Sequence, residues 1–332
     1  MSSVGTPDSL GILGQMRDED QGAASLTPIL NIADLELMIQ WCNSTYENLS
    51  RNELTDPVWQ YAVPIEALSH PFLMHGILAL SSLHLARTGL ELARRASYLC
   101  RAVAHQNQAL SLFRGVLGDI NKTNSKAIFA FVGIVVVYTF GFPHSPDVQD
   151  PWNYVDDLYQ VLVLSRGMQQ VIRSITDMIL SSAFAPLLHQ VECYTPLTDD
   201  DKAVVTRLQE ANRIRGLRNA DYEMDVFVAT IGNFAEMLGL VRGGVTTSTI
   251  AGRWATILPQ RFLELLRERE PFALVMLAHY GVLLQYLKPR WCFDEWCVRV
   301  AKAVWAVLDD QCRPLVHWAM YEILGQNYID QV

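Results

Sequence analysis

From Asn31 onward the apolar residues of this chain recur at three- and four-residue spacing, and no stretch shows the strict alternation that marks a half-buried strand. IADLELMIQWCNSTYENLS puts Ile32, Leu35, Met38, Ile39, Cys42, Tyr46 and Leu49 at helical spacing. Thr55-Asp56-Pro57 breaks this helix, and VWQYAVPIEALSH begins another piece. His70-Pro71 then opens FLMHGILALSSLHLARTG, with proline in the first turn and Gly89 past the end, the usual asymmetry of helix termini. That helix is apolar on nearly every face, so the pattern predicts that other helices enclose it.

ARRASYLCRAVAHQNQALSLFRGVL predicts a longer amphipathic helix with Leu99, Val103, Leu110 and Phe113 facing inward. Residues 121–125 read as a turn and cap before an apolar helix from Ala127, which ends at Phe142-Pro143. DDLYQVLVLSRGMQQVIRSI follows, then a break, then ILSSAFAPLLHQV. Thr198-Asp199-Asp200-Asp201 reads as the N-cap of KAVVTRLQEANRIRGLR, and a Gly- and Thr-rich loop is expected to run to about Gly252. The last third reads as PQRFLELLRERE, PFALVMLAHYGVLLQYL, DEWCVRVAKAVWAVLDD and WAMYEILGQN. The pattern therefore predicts an all-α fold: a single globular domain of about ten to twelve helices, spanning 29–332. Residues 1–28 are Gly, Ser, Asp and Pro rich without periodicity and are expected to be a flexible tail.

Composition sharpens this picture. Half of the residues are hydrophobic and 18% are charged, against roughly a quarter charged in ordinary domains. Such an excess fits a thick helical core or an enclosed apolar cavity. The net charge is −9, and the densest basic stretch, residues 207–218, also contains Glu210, so direct nucleic-acid binding is not expected. The cysteines at 42, 100, 193, 292, 297 and 312 form no CxxC pair and read as free thiols of a reducing compartment. The N-terminus carries no secretory signal. Residues 127–142 are uncharged but number sixteen, short of the roughly 20 that cross a bilayer. A buried core helix is expected there, and no membrane span.

The order of several segments resembles the C-terminal regulatory domain of fungal sterol uptake control proteins. The segments are VWQYAVPIEALSHPFLMHGILALSSLHLA, YLCRAVAHQNQALSLFR, NSKAIFAFVGIVVVYTFG and DDLYQVLVLSRG, with LELLRERE-PFALVMLAHYGVLL and RWCFDEWCVRV later in the chain. The resemblance covers roughly residues 30–325. It implies an all-α ligand-binding domain with an apolar pocket, ergosterol being the ligand of the sterol-sensing members. In those transcription factors a zinc binuclear cluster built on six closely spaced cysteines precedes the domain. No cysteine precedes Cys42 here, so either a fragment of such a regulator, its zinc cluster missing from this chain, or a stand-alone copy without that module is expected.

Candidate chemistry is sparse. Asp156-Asp157 and Asp199-Asp200-Asp201 lack the partner motifs of a metal-bound diphosphate site, and capping or solvation explains them better. His75 and His84 are nine residues apart on one helix, half a turn out of phase, and cannot share a metal. No nucleophile elbow, zinc-protease, P-loop or dinucleotide fingerprint occurs, and no cofactor or metal is expected. A few polar or aromatic groups inside an apolar cavity are what orient a hydrophobic ligand. The candidates are His279, Tyr280, Tyr138, His84 and Trp291, each of which also reads as an ordinary satisfied core group.

The expected function is thus a stand-alone binder of an apolar small molecule (a terpenoid, polyene or sterol) in fungal secondary metabolism. A dry, shaped cavity could act there as a cofactor-free cyclase of the pericyclic, Diels–Alder type, because holding a flexible substrate in one reactive conformer itself lowers the barrier. The alternative is a ligand-sensing regulator domain of the sterol-responsive type. The first reading places the protein in the cytoplasm and the second in the nucleus.

Overall fold

A computed structural model describes residues 31–89, 92–142, 150–188 and 194–326. The expectation of a tail at 1–28 lies outside the described residues, as does Cys193. The chain divides into two compact units, Met1–Leu35 and Glu36–Val332. Of the first, the described part is residues 31–35, where helix α1 (Ile32–Asn43) begins. Among the described residues there are thirteen α-helices and no strand, so the fold is all-α as the spacing predicts.

In the larger unit, a 3₁₀ turn (Thr45–Asn48) and a π turn (Val58–Ala62) lead into short α2 (Val63–Ala67). Helix α3 (Pro71–Thr88) starts on its proline and is buried over most of its length, packing along α4 (Leu92–Val116) and α5 (Ser125–Gly141). Helix α5 is buried on all sides because its residues from Ala127 to Phe140 offer no charged face. Its last residue must be glycine, since a Cβ on Gly141 would lie 2.5 Å from the Trp291 ring. Trp296 Nε1 donates to the Phe140 carbonyl at 2.8 Å in the same region.

Helix α6 (Pro151–Leu180) packs on α5 and runs unbroken through the interruption expected near residue 176, carried by buried Ile175 and Ile179. Helix α7 (Asp199–Arg218) is capped by Thr198, the first residue of the segment expected to cap it. The Thr198 hydroxyl accepts from Asp201 N, and the Asp201 carboxylate accepts from Thr198 N. Helix α8 (Met224–Arg242) is the one described helix long and apolar enough to cross a membrane, and half of its apolar window is buried.

Helix α9 (Ser248–Ile257) occupies the region expected to be loop. Burial of Ile250, Ala251, Trp254 and Ala255 outweighs the weak helix propensity of its Thr and Gly residues. Helices α10 (Gln260–Arg267), α11 (Pro271–Gln285), α12 (Trp296–Val307) and α13 (Arg313–Leu324) complete the unit. Every residue of α11 from Phe272 to Leu284 is buried, and the Glu270 side chain caps its start by accepting from Ala273 N at 2.7 Å.

Candidate functional site

Three helices turn one stripe each toward a common cavity of about 410 Å³. Helix α5 presents Phe129, Val132, Gly133, Val136 and Val137. Helix α6 presents Ser165, Met168, Gln169, Ile172 and Arg173, and α9 presents Thr249, Gly252, Arg253, Thr256 and Ile257. Each set follows the i, i+3, i+4, i+7, i+8 spacing of a single helical face, so each helix lends one coherent wall. Leu49, Trp59, Leu187 and Leu188 close the remaining sides.

Local bonds fix the walls. Trp59 sits in the π turn, and its carbonyl accepts from Trp41 Nε1 at 2.9 Å, which anchors the ring that faces α5. Gly133 gives that ring room. The C-terminal carbonyls of α9 are held from two directions: Arg166 donates to the Leu258 carbonyl at 2.5 Å and Asn233 to the Ile257 carbonyl at 2.8 Å. Arg51 donates to the carbonyls of Pro186 and Leu187 at 3.1 and 2.6 Å, tying that rim to the start of the unit. Burial pushes the Arg51 guanidinium below its ordinary range.

The five residues singled out from the sequence fall elsewhere. Tyr280 is fully buried behind α9, where its hydroxyl donates to the Ala251 carbonyl at 2.9 Å and its ring stacks on Trp254 at 4.2 Å. It therefore positions the wall without lining it. His279 is fully buried on α11, with Nδ1 2.8 Å from the Val275 carbonyl and its ring stacked on Trp318. Burial holds its pKa down at about 4. Tyr138 is buried near the end of α5, next to Phe142, and desolvation raises its hydroxyl pKa.

His84 and Trp291 do come together. Their rings stack at 5.0 Å beside a second hollow of about 560 Å³. Ser44, Glu47, Asn48, Thr88 and Arg290 surround the pair in the lining of that hollow. His84 Nδ1 lies 2.9 Å from the Thr45 hydroxyl, and burial lowers its pKa to about 4. His75, which faces away from His84, meets His105 at 2.9 Å instead.

Of the two hollows, the first has the composition of a small-molecule site: predominantly apolar walls with a few polar groups, within the roughly 300–1,000 Å³ typical of such sites. The sequence signal for it was the small residues Gly133, Ser165 and Gly252 on the faces of otherwise large-residue helices. Among the described residues no group of three His, Cys, Asp or Glu side chains is placed to hold a metal ion, and Cys42, Cys100, Cys292, Cys297 and Cys312 are free thiols.

Residues 41–196 match the family described as the fungal specific transcription factor domain. The chain is also similar to Sterol uptake control protein 2 of Saccharomyces cerevisiae, 30% identical over 109 residues. Its counterpart of the same name in Candida albicans is 32% identical over 123 residues. These matches take up 32% and 37% of this chain but only 11% and 16% of the two relatives, so the shared part is a small fraction of each.

Proposed function

For a chain that carries a fungal transcription-factor-like regulatory domain related to sterol uptake control, we propose the role of ligand sensor. An apolar small molecule of the sterol, terpenoid or polyene kind occupies the cavity between α5, α6 and α9, and its occupancy changes the output of a transcriptional regulator. The observation that carries this reading is the convergence of three helical stripes on one apolar space of about 410 Å³. Two of those stripes, on α5 and α6, lie inside the matched family region. A ligand there bridges α9 to α5 and α6, so binding energy becomes a bias on how these helices pack. The reading places the action in the nucleus, through protein partners.

The names of the relatives favour sensing over the cyclisation suggested by the sequence. One assay separates the two. The chain is fused to a heterologous DNA-binding domain and reporter in cells whose sterol supply is varied, and the purified chain is incubated with ergosterol and with linear polyene precursors. Sensing predicts a reporter response to the ligand and recovery of the ligand chemically unchanged. A cyclised product with a flat reporter response would overturn it.

A further inference from the structure

The charged side chains that line the cavity are Arg51, Arg173 and Arg253, and among the described lining residues there is no Asp or Glu. That bias runs against a chain with 35 acidic and 26 basic residues. Arg253 is neutralised by Glu236 at 2.9 Å. Arg51 is engaged by the carbonyls of Pro186 and Leu187 and is partly stripped of water. Arg173 stands exposed at the far end of the α6 stripe and makes no ion pair among the described residues.

A second observation is independent of charge. Ser165 and Ser248 line the same space and are only 4% and 7% exposed, so two hydroxyl groups stand on an otherwise largely apolar wall.

We propose that the ligand of this cavity is an apolar molecule bearing a single carboxylate, of the long-chain or polyene acid class. This rests on the sensor reading above and narrows its ligand. The apolar body lies against Phe129, Val132, Val136 and Trp59 on α5 and the π turn. The carboxylate accepts from a guanidinium fork and from a serine hydroxyl. Arginine matches a carboxylate with two parallel N–H donors, and such charged hydrogen bonds are stronger than neutral ones. A neutral alcohol would leave Arg173 without a counter-charge, and an amine would be repelled. A diphosphate would need more positive charge than remains once Glu236 has taken Arg253.

The test titrates the full chain, below micelle-forming concentrations, with a conjugated polyene fatty acid, the corresponding polyene alcohol, and ergosterol. Polyene fluorescence is followed for the first two and tryptophan quenching for ergosterol. The acid is expected to bind roughly tenfold tighter than the alcohol, the worth of one charge-assisted hydrogen bond. Arg173→Gln, at an exposed position that leaves the core intact, should erase most of that ratio by weakening the acid far more than the alcohol. Ser165→Ala supplies a second variant with the same expected direction. Equal binding of acid and alcohol, or a ratio untouched by Arg173→Gln, would overturn the carboxylate. Binding of ergosterol but not of the acid would overturn it while leaving the sensor reading in place. No binding by any of the three would overturn both.

Discussion

Gly133 of α5 and Trp59 of the π turn approach so closely that a Cβ on the glycine would lie 3.1 Å from the indole Cη2. The Trp59 backbone is anchored by Trp41, so the ring has one direction in which to yield, into the cavity. Gly133→Ala gains up to about 1 kcal/mol of helix propensity, and the displaced ring gives part of it back. We expect stability within about 1 kcal/mol of the parent by urea denaturation, together with a several-fold loss of ligand affinity. Unchanged affinity would place Trp59 outside the binding wall.

Two buried histidines make stability depend on pH. Burial lowers the pKa of His84 and of His279 to about 4, so both are neutral in the folded state at pH 6. In the unfolded chain they take up protons near pH 6.5, which means the unfolded state binds more protons between about 4 and 6.5. Stability is therefore fully present above about pH 6.5 and is lost as pH falls toward 4, by an order of about 3 kcal/mol for each histidine. His279→Phe keeps a flat ring against Trp318 and removes a buried Nε2 that has no partner. Urea midpoints measured at pH 7.5, 6 and 5 should fall less steeply in this variant, while its ligand affinity stays that of the parent.

Asp201 joins three helices. It closes the capping box of α7 with Thr198 and accepts from Arg242 at the end of α8 at 2.9 and 3.2 Å. Arg242 also donates to Glu322 of α13 and to the Tyr286 hydroxyl. The carboxylate is fully buried, and removing it leaves a partly buried guanidinium with fewer partners. Asp201→Ala should cost about 3 kcal/mol. Asp201→Asn retains a capping acceptor and should cost clearly less. Equal losses in a urea titration would show that the cap contributes nothing beyond the charge pair.

Most helices were legible because their apolar positions and proline starts, as at Pro71 and Pro271, are local features. Helix α9 was not, because Thr247, Ser248, Thr249 and Gly252 have loop-like propensities and only tertiary burial of Trp254 and its neighbours makes that segment helical. The cavity was hidden for a related reason. Ser165, Gln169, Arg173, Arg253 and Thr256 look like a solvent face in sequence, since polarity alone does not say whether a residue meets bulk water or an internal space. Conversely, His279 and Tyr280 drew attention as polar groups in an apolar helix. In the structure Tyr280 bonds the backbone of α9, and His279 bonds the backbone of its own helix. The stacked pair of His84 and Trp291 joins residues more than two hundred positions apart, a proximity no local pattern contains.

If the space between α5, α6 and α9 holds an apolar ligand, filling that space with a side chain abolishes binding. A Cβ on Gly252 would meet nothing nearer than Val136 Cγ1 at 4.0 Å, so Gly252→Phe projects a ring into the cavity and leaves the helix packing alone. Titration of the purified parent and of this variant with ergosterol and with a polyene acid, alongside thermal unfolding of both, should show binding in the parent. In Gly252→Phe the account predicts a loss of affinity of at least about tenfold with an unfolding temperature at or above that of the parent. Undiminished binding in a well-folded Gly252→Phe protein would contradict it.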